Sequence, residues 1–322
     1  MTRGPSLEAQ LIARIRRKAS HPDARGLLDD VATLGDLVLT HDTIAQGIHY
    51  RADDPPESVG WKLAAVNLSD LAAKGAEPVG ALLSLTLAPP ADGEEPGAWE
   101  EAFITGIEAA GESYGLPLLG GDTIALPAGA PRVLGLTAIG RSINGVPSRS
   151  GGKPGDELWL VGAIGDAMAG LALLETDAEA TGPLVDIYRR PVPQLAAGRA
   201  LAPLAHAMMD VSDGLLLDAD RLAGASGCSA TIDLDSLPLS AAFRDARGVT
   251  RDARLFAATG GDDYALLAAI SSERAQAVRQ SLPSGTIFTR VGTLGSGEGL
   301  SLVAGGKPVE LPETLGHEHR AT

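Results

Sequence analysis

Short apolar runs that end in aspartate recur from one end of this chain to the other, and they limit what it can fold into. Asp42 follows the run LVLT, Asp122 follows LPLLGG, and Asp210 and Asp213 bracket a turn after an apolar segment. Between such runs lie stretches of helical period: 6–19 (Leu7, Leu11, Ile12, Ile15), 57–74 (Val59, Leu63, Val66, Leu71) and 98–114. Gly75 and Pro78 supply stop signals for the second of these. The spacing predicts strands over 37–42, 81–89 and 132–140, with 24–36 a loop that carries Asp29-Asp30. Strand and helix alternate, which predicts an α/β fold. In an open sheet of that class the strand carboxyl ends gather at one edge, where ligands bind.

Residues 142–157, SINGVPSRSGGKPGDE, are rich in turn formers and lack an apolar period. A boundary there divides the chain into domains 1–145 and 146–322, as a length of 322 residues suggests. In the second half LWLV (158–161) runs into Gly162, Gly165 and a helix to about residue 175, and MMDV (208–211) runs into Ser212-Asp213-Gly214 and another helix. Further on, Gly260-Gly261-Asp262-Asp263 precedes the run YALLAAI. With 41 acidic and 26 basic side chains the net charge is −15, which argues against a general nucleic-acid or anionic-membrane binder. One cysteine, Cys228, excludes a disulfide scaffold and a cysteine zinc site. No apolar stretch approaches the ~18 residues a membrane span needs. The first twenty residues carry Arg14, Arg16, Arg17 and Lys18 without a signal-peptide core. A soluble, cytoplasmic protein is the expectation.

The common nucleotide and hydrolase motifs are missing: Gly151-Gly152-Lys153 is followed by Pro154, and neither G-x-S-x-G nor H-E-x-x-H occurs. Cys228, in SGCSA, has no activating motif and reads as a small packed residue. What remains is the aspartates: Asp30, Asp42, Asp70, Asp122, Asp210 and Asp213. Taken singly, each reads as a turn former or helix cap. Taken together, they read as a site for hard cations, since clustered carboxylates repel unless Mg²⁺ or a similar ion joins them. Thr40, Thr43, Thr123 and Ser212 offer hydroxyl oxygens nearby. Asn67, Asp70 and Lys74 form one polar stripe on the 57–74 helix, either a solvated face or a functional one. Ala64, Ala65, Leu68, Leu71 and Ala72 leave little exposed helix, which favours function for Asp70. His49 reads as a loop filler or a ligand contact, and Arg149 as a surface residue or a phosphate contact.

Taken in order, GLLDDVA (26–32), LTHDTIAQGIHY (39–50), KLAAVNLSDLAAKGAEP (62–78), LLGGDT (118–123), RSGGKPGD (149–156), GAIGDAMAGLALL (162–174), MDVSDGLLLD (209–218) and GGDDY (260–264) resemble the thiamine-monophosphate kinase family. That family belongs with aminoimidazole-ribonucleotide synthetase and selenophosphate synthetase. The resemblance spans about 26–264. It implies a two-domain PurM-like α/β fold, an N-terminal domain whose strands form a homodimer interface, and a cleft holding ATP. It further implies Mg²⁺ on Asp30, Thr40, His41, Asp42, Asp70, Asp122, Asp210 and Asp213, and ATP at Gly121, Asp122, Arg149 and Ser212. His49 and Asp262 match positions that touch thiamine monophosphate. Leu28, His41, Ala265 and Arg320 depart from the family's usual residues; at His41 only a backbone carbonyl remains as a ligand. The implied reaction moves the γ-phosphoryl of ATP in line onto a phosphate monoester, already an oxyanion near pH 7, so no side chain is needed as a general base. Two other readings stand beside it: a related ATP-dependent enzyme with another acceptor, and a non-catalytic Mg-nucleotide-binding protein.

Overall fold

The computed structural model describes residues 7–90, 93, 95–142 and 144–317. Helix α1 (Leu7–Arg16) is followed by a 3-10 turn over Pro22–Leu27 and by strands β1 (Ala32–Leu34) and β2 (Leu37–Ala45). Helix α2 (Pro56–Ala73), strand β3 (Glu77–Leu87), helix α3 (Ala98–Tyr114) and strands β4 (Leu118–Ala125) and β5 (Val133–Arg141) follow. The five strands form one sheet in the order β1-β2-β5-β3-β4. Only β3 and β4 run parallel, with α3 as the crossover that a parallel pair requires.

The second half holds β6 (Glu157–Val161), α4 (Asp166–Thr176), α5 (Pro183–Arg189), α6 (Leu195–Leu201), β7 (Ala207–Val211), α7 (Leu215–Ala225) and β8 (Cys228–Asp233). Then come α8 (Ala241–Arg247), α9 (Arg251–Thr259), β9 (Ala265–Ile270), α10 (Ala275–Ser281), β10 (Phe288–Ser296), β11 (Gly299–Ala304) and β12 (Lys307–Val309). These strands form a second sheet, β12-β11-β8-β10-β6-β9-β7, in which only β8 and β11 pair parallel. Both sheets are mixed, so strand ends do not gather at a single edge. Strand β2 runs on to Ala45, and Asp42 lies within it rather than at its end.

One other expectation changed. The 24–36 segment contains the end of the 3-10 turn and strand β1, joined to β2 by the tight Gly35-Asp36 turn. A three-residue strand is too short to show a period. Gly120-Gly121 lie within strand β4, where a Cβ on Gly121 would lie 1.9 Å from the Leu83 carbonyl oxygen of β3, so that strand pairing needs glycine there.

Helix α2 is the axis of the molecule. Every residue from Ser58 to Ala73 except Trp61 is buried, so it has no solvated face. It packs on α3 and strands β2 and β5 of its own half, and on α6 and β7 of the other. Glycines permit these approaches: a Cβ on Gly60 would meet Phe103 O at 2.1 Å, and one on Gly198 would meet Ala72 O at 2.0 Å. One apolar core therefore runs from Leu63, Leu68 and Leu136 through to Val161, Met208 and Leu266 of the second sheet. A second core, around Leu216, Leu222, Ile232 and Phe243, fills the far side of that sheet. None of the described helices is long and apolar enough to cross a membrane.

Candidate active site

Four segments bring carboxylates together beside α2. Asp30 comes from the loop before β1, Asp42 from β2, Asp70 from α2 and Asp210 from β7. Strand alternation selects which β2 residues take part: Val38, Thr40 and Ile44 are buried, and His41 and Thr43 are exposed. The Thr40 hydroxyl donates to Asp70, and the Ser69 hydroxyl donates to Asp210 at 2.7 Å. Asn67, fully buried, accepts from the Asp42 N–H at 3.1 Å. One oxygen each from Asp30, Asp70 and Asp210 lies within 4.8 Å of the other two.

The charges there are strongly unequal. Burial would raise the Asp30 carboxyl, but the Lys74 and Arg149 cations outweigh it and hold Asp30 down at about 2. Burial, then the charges of Asp30 and Asp213, pushes Asp42 up to about 6. Burial, then Asp30, pushes Asp210 to about 8. Asp70 is driven well above the carboxylate range by burial and by Asp42, Asp210 and Asp30. Three acids thus resist ionising, which is the state expected of a site built for added positive charge. Arg149 pairs with Asp30 while its Nε is buried without an acceptor. An anionic ligand would satisfy that nitrogen.

Other expected residues are placed differently. The His41 side chain projects from the opposite face of β2, where its Nδ1 lies 2.8 Å from Thr137 Oγ1, so it does not join the carboxylates. Gly121 and Asp122 sit on the exposed edge strand β4, outside the Asp30, Asp70 and Asp210 group. Asp213 pairs with Arg221, and its carbonyl accepts from His317 N–H at 2.9 Å, which brings the end of the described chain to this loop. Ser212 donates its N–H to the buried Asp218, and its carbonyl accepts from Asp262 N–H at 2.8 Å. Ala265 is buried in β9 and Leu28 is exposed; Arg320 lies outside the described residues.

The remaining two residues meet at the junction of the halves. His49 follows β2, and its Nδ1 accepts from Ala45 N–H at 3.0 Å. Asp262, in the Gly-Gly-Asp-Asp loop, has a left-handed backbone with φ of 65°, and Tyr264 has φ of 50°. Two lysines complete the picture, Lys74 from the polar stripe of the 57–74 helix and Lys62, which sequence reasoning passed over. Lys62 and Lys74 are among the most deeply buried side chains of the molecule. Lys74 pairs with Asp29 and Asp30 (2.8 Å to the latter) and donates to Met208 O at 3.1 Å. Lys62 donates to Asp262 at 2.7 Å and to the His49 carbonyl at 3.0 Å. The available signal was the setting, Lys62 within α2 and Lys74 at its C-terminal cap, in a helix too apolar to leave an ammonium in water.

Comparison with known proteins places this geometry in a family. Residues 25–142 match the AIR synthase related protein, N-terminal domain, and 153–305 match its C-terminal domain. The thiamine-monophosphate kinase of Caulobacter vibrioides is 37% identical over 98% of this chain and 91% of its own length. That of Salmonella typhimurium is 38% identical over 98% of both. The solved structure of AaThiL complexed with AMPPCP and TMP covers 99% of this chain and 100% of its own at 29% identity, with a TM-score of 0.81. By sequence over nearly its whole length, and by its two-domain α/β fold, this chain belongs to the thiamine-monophosphate kinase family of AIR synthase related proteins.

Proposed function

We propose that the chain transfers the γ-phosphoryl group of ATP to thiamine monophosphate, giving thiamine diphosphate and ADP. The observation that carries this reading is the buried group of Asp30, Asp70 and Asp210, with oxygens within 4.8 Å of one another and an arginine at its rim. An all-oxygen donor set of that kind fits Mg²⁺. Asp30, Asp42, Asp70 and Asp210 would hold it, with Thr40 beside them. Bound there, Mg²⁺ supplies the positive charge that lets two polyanions approach and neutralises charge developing on the phosphates.

The residues themselves position and balance charge. Arg149 orients an anionic oxygen through its unpaired Nε. Thr40 and Ser69 fix the Asp70 and Asp210 rotamers through their hydroxyls. His49 and Asp262 form the acceptor side. An oxygen of the acceptor phosphate forms the new bond to the γ-phosphorus as the bond to the β,γ-bridging oxygen breaks. ADP leaves with that electron pair, and no side chain has to remove a proton. The exposed apolar residues of the first sheet, among them Leu82, Leu118, Leu119, Ile124 and Val133, support a homodimer built on this surface.

The test is purified protein with ATP, Mg²⁺ and thiamine monophosphate, assayed for thiamine diphosphate with and without chelator. Chelator-sensitive product supports the reading. Metal-dependent nucleotide binding without product would overturn it in favour of another acceptor or a protein that only binds.

A further inference from the structure

We infer that Lys62 is a positioning residue for the acceptor: a buried ammonium that locks the two walls of the thiamine monophosphate site to each other. The inference rests on the reading of His49 and Asp262 as acceptor residues. Those walls come from opposite halves of the chain, His49 from the β2–α2 connection and Asp262 from the loop before β9. The Lys62 side chain, 2% exposed, joins them, with Nζ 3.0 Å from the His49 carbonyl and 2.7 Å from Asp262 Oδ2. A lysine ammonium has three donors. The third side of Nζ faces the Tyr188 ring, 4.2 Å from its centroid, so no donor is left to touch a substrate directly.

Asp262 is held at both oxygens. Oδ1 accepts from the Tyr264 hydroxyl at 3.0 Å, and Oδ2 accepts from Lys62. Both Asp262 and Tyr264 have left-handed backbone, a conformation that persists in non-glycine residues only where surrounding contacts impose it. Tyr188 is fixed in turn, since its hydroxyl donates to Asp54 at 3.1 Å and Arg189 Nε donates to the other Asp54 oxygen at 3.0 Å. Asp54 lies in the first half and Tyr188 and Arg189 in the second, so this pair repeats the same junction. The carboxylate group is served by other residues, Lys74 and Arg149. Lys62 should therefore act on the acceptor and spare the nucleotide.

Steady-state kinetics of K62M, D262N and the double variant test this, each with thiamine monophosphate and with ATP varied. K62M is expected to lower kcat/KM for thiamine monophosphate about 10- to 100-fold, the loss that a displacement near 1 Å produces. Its KM for ATP is expected to stay within about threefold of wild type. Because Lys62 acts through Asp262, the double variant is expected to be no worse than D262N alone. Independent, multiplying losses in the double variant, or parallel rises in both KM values, would overturn the inference. If K62M does not fold, K62R replaces it in the same cycle with the same criteria. A wild-type protein that makes no thiamine diphosphate would instead sink the underlying reading, so the two failures are distinguishable.

Discussion

Replacing Asp210 with asparagine should make the metal-free protein more stable and the enzyme inactive. Asp210 is 4% exposed, and its carboxyl midpoint rises from 3.8 to about 8 on folding. The folded state therefore binds more protons than the unfolded state between those values, and stability of the metal-free protein falls as pH rises through that window. At pH 7 the cost of keeping this acid in place is about 4 kcal/mol, at 1.4 kcal/mol per unit. At pH 5 it shrinks to about 2 kcal/mol. An amide in place of the carboxyl would remove that cost and still accept from the Ser69 hydroxyl. The expected gain in chelator at pH 7 is on the order of 10 °C in Tm, smaller at pH 5. Thermal unfolding followed by circular dichroism reads both values. Adding Mg²⁺ with a non-hydrolysable ATP analogue should stabilise wild type and leave D210N nearly unmoved, because ligand-linked stabilisation needs the site intact. A D210N protein less stable than wild type in chelator, or one stabilised equally by Mg²⁺ and nucleotide, would refute the reasoning.

Three further outcomes are expected. Asp70→Ala should lower turnover by roughly 10²-fold or more, whereas Cys228→Ala, at a thiol packed against the Gly152 carbonyl, should leave it within about threefold; equal losses in the assay would remove the carboxylates from the mechanism. Gly60→Ala would push a methyl into the Phe103 carbonyl and should cost about 3 kcal/mol, visible as a lowered Tm; an unchanged melting curve would contradict the tight α2–α3 contact. Ile124→Lys, on the exposed edge strand β4, should convert the proposed dimer to monomer in light scattering, and a variant that stays dimeric would move the interface elsewhere.

The carboxylates of the candidate site were legible because aspartate is rare inside apolar segments. Asp70 stood out in a helix of alanine and leucine, and Asp42 and Asp210 stood out in strands. Strand period alone would have turned His41 outward once Thr40 and Asp42 were taken as inward. Lys62 was hidden for a different reason, and Lys74 showed only as part of a polar stripe: their partners Asp262 and Met208 are far along the chain, and burial of an ammonium depends on partners that only tertiary structure supplies. The mixed order of both sheets was equally out of reach, since alternation of strand and helix does not say which strands lie side by side.

The way α2 is satisfied also bears on how the chain is made. Three of its polar groups, at Lys62 and Ser69 and at Lys74 just beyond its end, wait for Asp262, Asp210 and Met208. At ordinary ribosome speeds of about 5–20 residues per second, those partners emerge roughly 7 to 40 seconds after the helix itself. Until then Lys74 has only Asp29 and Asp30, Lys62 only the His49 carbonyl, and the apolar surface that α2 turns to the second half has no cover. A polypeptide ending near residue 145 would leave the side of α2 that packs on α6 and β7 open to water, and is expected to be less stable than the whole chain.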